Sequence, residues 1–79
     1  YLDRAIPRFK DVVRHRPDAS DAHGNLGLAL LRQGKAQQAI IHFERVLHTK
    51  PAASDIHHHL GNAFRELRKF DEAVVAYRR

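Results

Sequence analysis

The sequence predicts an all-α fold of stacked antiparallel helix pairs, and three observations predict it. The first is an internal period: Ala19-Ser20-Asp21 returns as Ala53-Ser54-Asp55, 34 residues later (position 19 to position 53). The same offset joins Pro17 to Pro51, His23 to His57 and Leu26-Gly27 to Leu60-Gly61, and it links Ala5/Phe9, Ala39/Phe43 and Ala73/Tyr77 in succession. The second is apolar spacing of three and four residues within each period, the signature of a one-sided helix. The third is punctuation by Gly and Pro where one helix must end and the next begin.

Taken in order, residues 1–17 read as the second helix of a pair, carrying Ala5 and Phe9 in the repeated slots. Pro7 aligns with Ile41 and Val75 inside that helix, where a missing N–H and a ring clash predict a late start or a kink. A complete repeat follows over 20–53. Ser20 offers a hydroxyl cap, and at about 100° per residue His23, Leu26, Gly27 and Leu30 fall in one sector, the packing face. Gly34 supplies the break, Ala39 and Phe43 mark the second helix, and Pro51 cannot continue it. From 54 the pattern begins again: Ser54 as cap, then His57, Leu60, Gly61 and Phe64, then Ala73 and Tyr77, cut short at 79. Gly27, Gly61, Ala39 and Ala73 permit close approach of helices, while Phe43 and Tyr77 supply bulk between them.

These matches spell His-x2-Leu-Gly-x2-Leu, then Ala-x3-Phe, then Pro, which resembles the tetratricopeptide repeat (TPR) family, with His where that family usually has Trp. The resemblance covers nearly the whole chain. It implies a right-handed solenoid whose function is protein–protein recognition: a scaffold or adaptor without chemistry or cofactor of its own. The alternative it implies is the substrate-recruiting repeat region of a larger enzyme such as a glycosyltransferase. The absent initiator Met and an end at "AYRR" in mid-pattern read as an excerpt of a longer chain.

Composition bounds the rest. A chain of 79 residues buries only about 60–65% of its unfolded surface, so one unit of marginal stability is expected. Without cysteine it can build neither a disulfide framework nor a thiolate metal site. No apolar run approaches the ~18 residues of a membrane span, so the chain reads as soluble, with the cytoplasm slightly favoured and the compartment otherwise open.

The run His57-His58-His59 raises the question of a metal site. Consecutive helical residues diverge by about 100°, so the three rings point in three directions and cannot converge on one ion. His57 shares its slot with His23 on the packing face and reads as a structural imidazole. His15, His42 and His48 sit on second helices or their ends with no nucleophile–base or two-ligand arrangement, so neither a catalytic nor a metal site is assigned.

The resemblance implies that the first-helix face opposite the packing stripe lines a concave groove for an extended peptide. On this chain that sector holds Asp21, Gly24, Leu28, Leu31 and Arg32, and in the next copy Asp55, His58, Asn62, Arg65 and Glu66. The expected peptide-binding residues are Asn25, Leu28, Leu31, Arg32, His58, Asn62 and Arg65. Leu28 and Leu31 form an apolar patch, Asn62 can both donate and accept, and Arg65 can fork onto a carboxylate, which suits a peptide with an apolar residue near an acidic one. The family's C-terminal carboxylate clamps use Lys and Asn one turn apart. Gly24 and Leu28, then His58 and Asn62, occupy those slots, and Asn62 alone matches. Asn25 occupies the slot of the asparagine ladder in O-linked N-acetylglucosamine transferases, and His59 breaks that ladder in the next copy.

The formal net charge of +5, with Arg4, Arg8, Lys10, Arg14 and Arg16 gathered near the start, brings nucleic acid into consideration. The chain has no exposed aromatic series on which bases could stack, so an acidic protein partner is preferred. Uncapped terminal helices, with Ile6, Phe9 and Val13 at one end and Val74 and Tyr77 at the other, predict exposed apolar stripes and self-association.

Overall fold

The computed structural model describes residues 6–8, 10, 11, 14 and 20–79. Four helices follow one another over the continuous part: α1 (Ser20–Arg32), α2 (Ala36–Thr49), α3 (Ser54–Glu66) and α4 (Phe70–Arg78). Residues 6–8, 10, 11 and 14 are also helical. Each helix packs chiefly on its sequence neighbours, α1 on α2, α2 on α3 and α3 on α4, with only slight contact between α1 and α3. The result is all-α, with no strand among the described residues.

The packing faces follow the predicted stripes. Helix α1 buries Ala22, His23, Leu26, Gly27, Ala29 and Leu30, and α3 buries Ile56, His57, Leu60, Gly61 and Ala63. Leu26 and Leu30, one turn apart, meet Phe43 at the centre of the core, and these three are the largest fully buried side chains among the described residues. Ala39 is fully buried beside them, as its small side chain permits. Gly27 is where α1 approaches α2: a Cβ there would stand 2.7 Å from Phe43 Cε1. One period on, a Cβ on Gly61 would stand 2.5 Å from Tyr77 Cε1, so the same glycine–aromatic contact joins α3 to α4.

Both helix pairs turn on the same hydrogen-bond pattern. After α1, Gly34 N–H donates to Leu31 O (3.0 Å) and Lys35 N–H to Leu30 O (2.9 Å); after α3, Arg68 N–H donates to Arg65 O (2.9 Å) and Lys69 N–H to Phe64 O (2.8 Å). This doubly bonded C-terminal motif requires a left-handed residue. Gly34 takes it at φ +79°, and Arg68, the residue one period later, takes it at φ +60° despite its side chain. Helix α2 stops at Thr49, two residues before Pro51, as the missing proline N–H predicts.

Three local expectations differ from the structure. The N-cap of α3 is Ala53, without a side-chain cap, because its carbonyl already accepts the first helical bond from His57 N–H (3.1 Å). Ser54 therefore lies one residue inside the helix. Ser20 is likewise the first residue of α1, and its hydroxyl donates to Thr49 Oγ1 (3.3 Å), tying the start of α1 to the end of α2. Ile6, expected on an exposed terminal stripe, is only 6% exposed because it joins the core cluster with Leu26 and Leu30. Phe9, Val13 and Pro17 lie outside the described residues, as do the neighbours at 1–5 and 9 on which the late start or kink expected at Pro7 turns. At the other end Phe70, Val74 and Tyr77 of α4 are exposed, as the uncapped pattern predicts for Val74 and Tyr77.

Candidate functional site: the first-helix groove

Helices α1 and α3 are the first helices of the two pairs, and a cavity of about 410 Å³ opens between them over the end of α2. Asn25 and Leu28 line it from α1, and Ile56 and His59 face them from α3. Asp21, Asp55 and Lys50 stand at the end of the cavity formed by the helix starts, with Lys50 Nζ 4.0 Å from Asp21 Oδ1. Both ions of that pair are largely exposed, so it orders little.

The charge along this face is polarised. Asp21 and Asp55 occupy the first turns of α1 and α3, and Arg32 and Arg65 their last turns. Each placement complements the helix dipole. Together they give each first helix an acidic start and a basic end, repeated at the period of the sequence, and of these four residues only Asp21 and Asp55 line the cavity itself.

The seven residues expected to bind a peptide do not share one cavity. Asn25 and Leu28 line the groove just described. Leu31 is half-buried against the core, and Arg32 and Arg65 are exposed. His58 and Asn62 form a separate cluster with α4: Tyr77 O–H donates to Asn62 Oδ1 (2.5 Å), and the His58 ring lies 5.6 Å from the Tyr77 ring, centroid to centroid. Tyr77 thus engages the Asn62 carbonyl and leaves its amide N–H₂ as the group to offer a partner.

The histidine run resolves into three environments. His57 is 8% exposed, and its Nε2–H donates to the Pro51 carbonyl (2.8 Å), fastening α3 to the turn before it. His58 is exposed beside Tyr77. His59 stacks on Phe43 (5.9 Å between centroids) beneath the groove. Burial holds its pKa below the ordinary histidine value, His58 and Arg32 lower it further, and Asp55 opposes them. His23 meets His42 instead, with the two Nδ1 atoms 3.1 Å apart and the rings stacked at 5.3 Å. His42 is also held low, first by burial, then by His23, Lys10 and Arg45. Among the described residues no group of three or more His, Cys, Asp or Glu side chains is placed to hold a metal ion.

His59, Ile56 and Lys50 are groove residues that the sequence reading did not select. His59 occupies the slot of Asn25 one period later, where it interrupts the asparagine ladder; the period itself marks it as a groove position. Lys50, at the end of a second helix, carried no such signal. No described helix is long and apolar enough to cross a membrane.

A search of curated proteins finds no match to the chain. Two family models, each described as tetratricopeptide repeat, match residues 2–56 and residues 54–79. Repeats of this kind are in general protein-interaction modules. With the period, the paired helices and the glycine–aromatic contacts in agreement, the chain belongs to the tetratricopeptide repeat family.

Proposed function

We propose that this chain is a scaffold or adaptor segment that holds an extended peptide across α1 and α3, the peptide carrying an apolar residue and a carboxylate. The observation that carries the reading is the repeated polarity of the two helices around the cavity lined by Asn25 and Leu28. An apolar side chain packs on Leu28, Asn25 and the Asn62 amide meet the peptide backbone, and a carboxylate settles at the basic edge formed by Arg32 and Arg65. His58 and Leu31 border this path. A short segment buries little area and must offset its own ordering, so affinity in the micromolar range or weaker is expected.

The test is selection of peptides from a random displayed library on the isolated chain, followed by amide chemical-shift mapping. Enriched sequences should pair an aliphatic residue with Asp or Glu, and shifts should cluster on α1 and α3. Selected aliphatic–acidic peptides whose shifts map to α2 and α4, or a library yield without any aliphatic–acidic sequence, would overturn the site.

A further inference from the structure

A second groove lies on the opposite side of the molecule, between α2 and α4, with α3 as its floor. Its volume is about 600 Å³, within the roughly 300–1,000 Å³ of pockets that hold a small ligand or a few side chains. Leu60 and Phe64 form the floor, and Leu47 and Val75 the apolar walls. Val75 is 49% exposed, so this apolar lining is open to a guest.

The rim is acidic. Glu44 stands on the α2 side, and Asp71 and Glu72 on the α4 side, with Arg79 and His48 also present. The chain as a whole has 14 Lys and Arg against 9 Asp and Glu, so three of its nine acids gather on a single groove, against the overall charge. All three are exposed, and none forms an ion pair among the described residues.

His57 is a further buried polar group at this groove. Its ring lines the same groove, it is more than nine-tenths buried, and its Nδ1 has no hydrogen-bond partner. Since Nε2–H donates to Pro51, Nδ1 of the neutral ring is an acceptor, and an unpaired buried acceptor is uncommon in a folded protein.

We propose that the α2–α4 groove is a second docking surface, and that its occupant is a short basic segment of a partner protein in which an aliphatic side chain is flanked by Lys or Arg. The aliphatic group covers Leu60, Phe64 and Val75. The flanking cations face Glu44, Asp71 and Glu72, where like charges on a competing acidic segment are repelled. This surface differs from the first-helix groove in both place and charge preference, so one chain can join two different partners.

The experiment measures fluorescence anisotropy of a labelled peptide of alternating leucine and arginine on the 79-residue chain, with a leucine–glutamate peptide as control. The basic peptide should bind and the acidic one should bind at least about tenfold more weakly. Replacing the rim acids together (Glu44→Gln, Asp71→Asn, Glu72→Gln) should weaken the basic peptide by about tenfold, with circular dichroism unchanged. Val75→Ser, which leaves charge alone, should also weaken it, about threefold or more, if the aliphatic group is seated in the groove. The first-helix pair Asp21→Asn and Asp55→Asn should change it by less than about twofold. No binding by the unmodified chain, equal binding of both peptides, a loss that follows Asp21 and Asp55, or indifference to Val75→Ser would each overturn the proposal.

Discussion

The edge of the Phe43 ring fills the space that a side chain on Gly27 would need, with a Cβ at that position only 2.7 Å from Phe43 Cε1. Phe43 is fully buried and cannot swing aside, so this contact sets how closely α1 and α2 approach. Gly27→Ala should therefore destabilise by about 1–3 kcal/mol in urea unfolding, despite the better helix propensity of alanine. Gly61→Ala meets Tyr77 in the same way, but that ring is 41% exposed and can move outward. Its cost should be smaller, under about 1 kcal/mol. Equal costs at the two glycines would contradict this account of the spacing.

Arg68 is in the left-handed conformation that Gly34 adopts one period earlier. A residue with a Cβ pays about 1 kcal/mol there, and glycine does not. Arg68→Gly is expected to raise stability by about 0.5–1 kcal/mol, and Gly34→Ala to lower it by about 1 kcal/mol or more. Chemical denaturation of both variants checks the pair. Destabilisation by Arg68→Gly would mean that the arginine side chain contributes more than its backbone costs.

The 34-residue period made the helix pairs, the packing stripes and the glycine–aromatic contacts legible, because each depends on residue types that recur in register. What does not recur was not legible. His42 pairs with His23, yet the residue one period after His42 is Ala76, so no repeated pattern announced the contact. Arg68 hid a turn geometry that the period places there and its own chemistry opposes. The helical wheel put Asn62 on the open face with a free carbonyl, and its engagement by Tyr77 depends on how α4 leans on α3, a tertiary fact. Ser54 has the chemistry of a cap and loses the position to Ala53 by one residue, because the Ala53 carbonyl already accepts the first helical bond from His57 N–H.

Stability should fall on acidification, and the two depressed histidines fix the direction. For His42 and His59 the folded-state pKa lies below the ordinary value of 6.5, so the unfolded chain binds more protons in the interval between the two values. Their contribution is present above pH 6.5 and is lost as pH falls from 6.5 through the folded values. Thermal melts between about pH 7.5 and pH 5 should show a falling Tm, with a shallower slope in His42→Gln. The groups facing His42 are His23, Lys10 and Arg45, none of which is an acid that would reverse the sign. A Tm that is flat or rises over this interval would contradict the assignment.

The two faces of the chain should separate cleanly by mutation. Arg65 is exposed on α3, so Arg65→Ala leaves the core untouched, and once an acidic–apolar peptide has been selected it should weaken binding by about 1–3 kcal/mol if the ion pair is buried in the complex. Asn62→Ala should do the same, but it also removes the acceptor of the Tyr77 hydroxyl, so a stability loss of up to about 1 kcal/mol is expected beside the binding loss. Tyr77→Phe distinguishes the two effects. It removes the same hydrogen bond while keeping the Asn62 amide, so it should reproduce the stability loss with a smaller loss of affinity. Arg45→Ala, exposed on α2 and lining neither groove, is the control and should change neither peptide's affinity. If Arg45→Ala abolished binding of the acidic peptide while Arg65→Ala and Asn62→Ala left it intact, the first-helix face would not be the binding surface, although the helix pairs would stand unchanged.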